Sequence, residues 1–213
     1  MRKILPDERI FAILMASGFS KRFGNENKLL VPFRGKALAR HTLDLVCGLH
    51  CFSGVFFIAA DDQVAALAGG LPVTLVRNAN PEKGRRESVR LGVEAGGAVP
   101  AGGAEAVYYL FFPCDQPLLD SGTVRRVLEA RRPGCIVYPC FQDRPGNPCL
   151  FSGLFRDELL TLKEGEKPGI IKLRHPEAVT AAAVTNPSAL IDIDEPGTLG
   201  EFGIAERYEH RIV

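Results

Sequence analysis

Residues 10–28 read Ile-Phe-Ala-Ile-Leu-Met-Ala-Ser-Gly-Phe-Ser-Lys-Arg-Phe-Gly-Asn-Glu-Asn-Lys. The apolar run Ile10–Met15 is short and ends in a glycine turn, which predicts a buried strand. It feeds Ala16-Ser17-Gly18. Small residues there let the backbone approach a ligand closely, and successive N–H groups can form a concave anion site. Lys21, Arg22 and Lys28 add cations, which suit a phosphate chain. The spacing is not that of a P-loop: five residues, not four, separate Gly18 from Gly24, and Asn25 stands where lysine is needed. No G-x-G-x-x-G is present either. The stretch reads as a triphosphate cradle; the plainer alternative is a surface turn with solvated basic residues.

Outward from this stretch, strand-like and helix-like segments alternate. The pattern predicts helices over Leu38–Leu49, from Asp61-Asp62 to Leu67, over Glu87–Ala95, from Asp120-Ser121 to about Arg131, over Phe155–Leu162 and over Ile170–Arg174. Strands are predicted at Val55–Ala60, Pro72–Val76, Ala106–Phe112, Cys135–Pro139, Val179–Val184 and Ala189–Ile193, with a last short helix near Glu195. Asp143–Gly153 reads as a hairpin around Pro145-Gly146-Asn147-Pro148. Gly92 is a place where its helix could pack close to the sheet. Such alternation means a parallel sheet with helices on both faces. In these sheets ligands bind beyond the carboxyl ends of the strands. The opening loop, the Asn78–Gly84 loop and the Asp115 loop should therefore meet on one edge.

The chain has 213 residues, 46% of them apolar, and a net charge of +1. That balance permits a sizeable core and lacks the basic excess of a nucleic-acid binder. No stretch reaches the roughly 18 continuous apolar residues of a membrane span. Asp7, Glu8 and Arg9 interrupt any signal-peptide reading, so a cytoplasmic protein is expected. Cys47 and Cys51 stand four apart with His50 between them, but no second ligand pair at zinc-like spacing accompanies them. Buried thiols are the expectation for all six cysteines.

Three further segments carry chemistry. Asp115, in Pro113-Cys114-Asp115-Gln116-Pro117, follows a buried strand, where a carboxylate can hold a hard divalent cation or cap a helix. Asp192 and Asp194 flank Ile193; on a strand they would share a face and repel unless a cation or solvent lies between them. Arg77–Val89 is a polar loop leading into a helix.

The run from Met15 to Leu30 resembles the signature of the MobA-like nucleotidyltransferases that activate the molybdenum cofactor. That pattern is Leu-Ala-(Ala/Gly)-Gly-x-Ser-x-Arg-(Met/Phe)-Gly, then Lys-Leu-Leu. Ala16, Gly18, Ser20, Arg22, Phe23, Gly24, Lys28, Leu29 and Leu30 agree, while Met15 and Ser17 depart. Asn78, Gly84, Ser88 and Val89 fall on the family's Asn-Pro-x-x-x-x-Gly-x-x-x-Ser-(Leu/Val) segment, with Asn80-Pro81 offset by two residues. Asp115-Gln116-Pro117 matches the family's magnesium position. Asp192-Ile193-Asp194 matches its Asp-Ile-Asp, with Glu195 in place of Thr. Asn147 replaces the His of Gly-His-Pro-x-x-Phe.

The resemblance implies a three-layer, mostly parallel Rossmann-like α/β sheet with helices on both faces and a small β insertion in the C-terminal third. It implies one domain over 1–213, with a nucleotide-binding half at about 8–118 and an acceptor-binding half at about 119–205. The implied nucleotide contacts are Ala16, Ser17, Gly18, Ser20, Arg22, Lys28, Asn78, Asn80, Gly84 and Ser88, with Arg22 and Lys28 catalytic. Asp115, Asp194 and Asp192 would hold Mg²⁺; Gln116, Gly146, Asn147 and Pro148 would face the acceptor. Asn27-Lys28, Asp115-Gln116-Pro117 and Asp192-Ile193-Asp194 look like the cytidylyl branch, which implies CTP and a molybdopterin-type phosphate acceptor. GTP, or a sugar or alcohol phosphate as acceptor, is the alternative within enzymes, and a non-catalytic cofactor-binding module the alternative outside them. A molybdoenzyme or its maturation factor is the implied partner.

Overall fold

The structure is a computed structural model that describes residues 5, 7–18, 27–97, 103–195, 197 and 198. Strands β1 (Arg9–Ala16), β4 (Gly54–Ala59), β5 (Thr74–Arg77) and β6 (Val107–Pro113) run parallel in the order β6-β1-β4-β5. On the other side of β6 lie β9 (Cys149–Ser152), β7 (Ile136–Phe141) and β10 (Val179–Ala183), giving an eight-stranded sheet in which the two-residue β8 (Arg144–Pro145) pairs with β7. β9 is antiparallel to both its neighbours and β10 is parallel to β7. The sheet is therefore mostly parallel. The expected small insertion is β8 and β9, and β9 occupies the middle of the sheet.

Strand alternation divides the core. Ile10, Ala12, Leu14 and Ala16 of β1, with Tyr108, Leu110 and Phe112 of β6, point to one face. There they meet Leu43 and Val46 of α1 (Leu38–Gly48), Val64 of α2 (Asp62–Ala66) and Val124 and Val127 of α4 (Ser121–Glu129). Phe11 and Ile13, with Tyr109 and Phe111, point to the other face. They meet Val89 and Val93 of α3 (Arg85–Ala95), Leu159 of α5 (Arg156–Leu160) and Ile171 of α6 (Gly169–Arg174). Each buried Ile or Leu in these layers contributes about 1.5–3 kcal/mol. Gly92 lets α3 close on β1: a Cβ there would lie 2.3 Å from Ile13 Cγ2.

Helix starts follow their caps. Asp61 Oδ1 accepts from Val64 N at 2.9 Å, and Asp120 Oδ1 from Thr123 N at 2.7 Å. α3 begins two residues before the expected Glu87, with Gly84 as its cap at φ +73°, a left-handed conformation that favours glycine.

Three expectations change. Ala189–Ile193 is not a strand. Asn186 caps a 3-10 turn over Pro187–Leu190, with Pro187 at its start, and residues 191–194 join no ladder. The hairpin turn is at Gln142-Asp143, between β7 and β8, rather than at Pro145–Pro148. An unforeseen hairpin, β2 (Pro32–Phe33) and β3 (Lys36–Ala37), turns through Arg34 and Gly35, both at positive φ. Of the last expected helix, Glu195 is a bend, Gly197 and Thr198 are helical, and residues 196 and 199 onward lie outside the described residues.

Candidate nucleotide site

The registers bring the three loops to one level. Ala16 pairs with Ala59, Ala59 with Arg77, and Met15 with Pro113. The residues that follow these strand ends line one cleft: Ser17 and Gly18 after β1, Cys114 and Asp115 after β6, and Pro81, Gly84, Arg85 and Ser88 from the segment that enters α3. Lys28 and Leu29 close it. The N-terminus of the eleven-residue α3 opens on this cleft, and its dipole favours an anion there. Ser17 donates to the Ile58 carbonyl at 3.0 Å, so the departure from the family's Ala or Gly fastens the loop to β4.

Lys28 is the centre of the charged groups. Its ammonium donates to Asp115 Oδ2 at 2.8 Å, to Asp194 Oδ1 at 2.8 Å and to the Ile193 carbonyl at 3.1 Å. It sits in the 3-10 turn Lys28–Leu30, capped by Asn27, whose side chain accepts from Leu29 N. Burial lowers the affinity of Lys28 for its proton, but the Asp115 and Asp194 carboxylates outweigh this and raise its pKa, so it stays charged.

Asp192–Asp194 is held without a sheet. Ile193 is fully buried against Val31, Phe33 and Leu38, and its N–H donates to the Asp115 carbonyl at 2.8 Å. Asp192 and Asp194 on either side remain exposed. The alternation predicted for a strand is thus kept by one anchored residue. The Asp192 carboxyl is pushed up to about 6, first by desolvation and then by the Asp115 and Asp194 carboxylates. Because Asp192 as a residue is exposed, like-charge repulsion is the part of this cause that the geometry supports best.

Two carboxylates, Asp115 and Asp194, therefore hold one ammonium, with the Asp192 carboxyl near enough to feel them. Asp115 Oδ1 is buried with no hydrogen-bond partner. An orphaned oxygen on Asp115 beside the Asp194 carboxylate is a pair that a hard divalent cation keeping several of its waters fits. Among the described residues no group of three or more His, Cys, Asp or Glu could hold a metal ion. All six cysteines are free thiols.

The other predicted residues distribute as follows. Ser20 and Arg22 lie outside the described residues. Ala16 is buried beneath the cleft. Asn78 is buried; its Oδ1 accepts from Asn80 N at 3.0 Å, and its Nδ2 has no partner. Gln116 is 1% exposed, and its side chain stands against the Asp192 carboxyl. Gly146 donates to the Pro139 carbonyl and packs on Leu190, while Asn147 is partly exposed and Pro148 buried. None of Asn78, Gln116, Gly146, Asn147 and Pro148 lines the cleft. Sequence reasoning missed Arg85, which does line it; its place directly after Gly84 was the available signal.

A mostly parallel sheet with cations, acids and a helix N-terminus at its carboxyl edge defines a nucleotide-handling α/β protein. Its overall structure resembles a nucleotidyl transferase from Methanothermobacter thermautotroptrophicus (TM-score 0.76, 20% identity, 91% of this chain and 95% of that one). It also resembles the Rv0371c complex with manganese from Mycobacterium tuberculosis H37Rv (TM-score 0.67, 24% identity, 91% and 97%). The MobA-like NTP transferase domain matches residues 12–179, and the chain belongs to that family. It is 27% identical over 193 residues to the molybdenum cofactor guanylyltransferase of Shewanella sp. (strain W3-18-1), covering 88% of this chain and 92% of that protein. It is 26% identical over 194 residues to the nicotine blue oxidoreductase of Paenarthrobacter nicotinovorans, covering 87% and 92%.

Proposed function

We propose that this protein transfers a nucleotidyl group from an NTP, CTP by first preference, to the phosphate of a molybdopterin-type cofactor, releasing pyrophosphate. The observation that carries the reading is Lys28 bound between Asp115 and Asp194 at the mouth of a cleft formed by small-residue loops and a helix N-terminus. One relative is named for redox chemistry, so family membership alone does not select the reaction. The cleft's own groups favour phosphate chemistry, in which positioning and charge neutralisation do most of the work.

In this reading an acceptor phosphate oxygen forms a bond to the α-phosphorus while the bond from that phosphorus to the β-bridging oxygen breaks. Lys28 neutralises charge on the triphosphate, with Arg22 assigned the same task from the family motif. Backbone N–H groups at Gly18 and the start of α3 orient the phosphates. Asp115 with Asp194 or Asp192 would hold Mg²⁺, which supplies charge neutralisation to the leaving pyrophosphate. No general base is required, because a phosphomonoester with a second pKa of about 6 is already ionised at neutral pH. Residues up to about 118 serve the donor, and 119–205 the acceptor.

The guanylyltransferase relatives favour GTP as the second reading. Asn27, one of the residues that suggested the cytidylyl branch, spends its side chain on a turn cap. The preference for CTP therefore leans on Asp115-Gln116-Pro117 and Asp192-Ile193-Asp194. Titration of the protein with CTP and GTP in Mg²⁺ tests the choice: saturable CTP binding supports it, and GTP binding with none for CTP sinks it.

A further inference from the structure

We propose that Lys28 is a stand-in cation: its ammonium and a divalent metal compete for the gap between Asp115 and Asp194, so that metal entry releases Lys28 to the triphosphate. The inference deepens the metal reading given above and rests on it. An ammonium has three protons to donate. Those of Lys28 go to Asp115 Oδ2, Asp194 Oδ1 and the Ile193 carbonyl, all acceptors within the protein. A lysine saturated in this way has no proton left for a phosphate oxygen. To serve a triphosphate it must give up at least one of these bonds.

The contacts are also those a cation would want. Asp115 lies on a strand-end loop and Asp194 on a segment anchored through Ile193, so both carboxylates are held from separate elements and converge on one point. The side chains of Lys28 and Asp115 are only 15% and 17% exposed, whereas that of Asp194 is 53% exposed. The Asp194 side is therefore open to an incoming ion, while the Asp115 side keeps the position fixed. Asp115 Oδ1 is unpartnered and supplies a further oxygen that the ammonium does not use. Removing the metal without a substitute would leave acids facing one another at this point; the lysine prevents that. The arrangement couples metal and nucleotide: a metal that displaces Lys28 makes the ammonium available to phosphate, and a phosphate that draws Lys28 away vacates the metal's place.

The test is Mn²⁺ binding without nucleotide, followed by electron paramagnetic resonance of the free ion, in the wild type and in Lys28→Met. Competition predicts that the variant binds Mn²⁺ about tenfold more tightly, within the usual range of coupling between two ligands. Equal or weaker binding by the variant overturns the proposal. A second measurement needs no variant: acetylation of Lys28 by limiting acetic anhydride, read by peptide mass spectrometry. Its rate should rise severalfold when Mn²⁺ is added, and an unchanged rate overturns the proposal. Both assays omit nucleotide, so their failure is distinguishable from failure of the nucleotidyl-transfer reading, which pyrophosphate release reports separately.

Discussion

Lys28 and Asp115, 87 positions apart in sequence, meet at 2.8 Å at the carboxyl edge of the sheet. The contact joins the loop after the first strand to the loop after the sixth, and Asp194 brings the C-terminal segment to the same ammonium.

Replacement of Lys28 by Ala removes its ammonium from the cleft while leaving the apolar walls and Arg85 in place. Turnover, followed by pyrophosphate release, should fall by about 10²- to 10³-fold, the usual cost of losing one charge-stabilising donor. Undiminished turnover in a folded Lys28→Ala protein would remove Lys28 from the mechanism.

Gly92→Ala pits two effects against each other. Alanine gains about 1 kcal/mol in helix propensity over glycine. The added Cβ, however, would lie 2.3 Å from Ile13 Cγ2, and overpacking a fitted core costs about 1–3 kcal/mol. The clash should win, and thermal unfolding should report a lower Tm for the variant. A higher Tm would mean that α3 and β1 are not in close contact there.

Asp120 caps α4 and also accepts from Asn186 Nδ2 at 2.7 Å, tying that helix to the segment that leads to Asp192. Burial alone would raise its carboxyl, but the bonds from Thr123 and Asn186 hold it below the ordinary 3.8. A depressed folded-state pKa gives stability that is present above the unfolded value and lost as pH falls through the folded one. Asp120→Ala should cost about 1–2 kcal/mol at neutral pH, as N-cap losses do. In paired denaturant titrations the gap between wild type and variant should be constant above the unfolded-state pKa and close below it. A gap independent of acid pH would refute the charged cap.

Glu8, just before β1, pairs with Arg131 at 2.7 Å, with side chains 5% and 0% exposed. Glu8→Ala removes the carboxylate from a buried guanidinium that keeps its bond to the Leu128 carbonyl, and should destabilise by about 3 kcal/mol, measured by urea unfolding. A loss under 1 kcal/mol would mean that water reaches Arg131.

Much of this was legible in the sequence because two periodicities and a few caps carry it. The unbroken apolar run Ile10–Met15 follows from a strand buried on both faces, and Asp61 and Asp120 announce helix starts that the structure keeps. What stayed hidden is short or non-local. The Phe33–Lys36 turn uses Arg34-Gly35 rather than Asn-Gly, and two-residue strands have no measurable period. Yet Val31, Phe33 and Leu38 around that hairpin form the pocket for Ile193, so the unforeseen element is the one that positions the acids. The Asp-Ile-Asp pattern suggested a strand, but Asn186-Pro187 starts a turn, and the residues after it stay out of the sheet.

The most direct test of the nucleotidyl-transfer reading is product analysis. The wild-type protein, Mg²⁺, CTP and a molybdopterin-type phosphate would be incubated, and both pyrophosphate and the cytidylylated acceptor quantified by mass spectrometry, with GTP in a parallel reaction. The account predicts equimolar pyrophosphate and nucleotidylated acceptor, lost in Lys28→Ala. Absence of both products with either nucleotide, from folded protein, would contradict it.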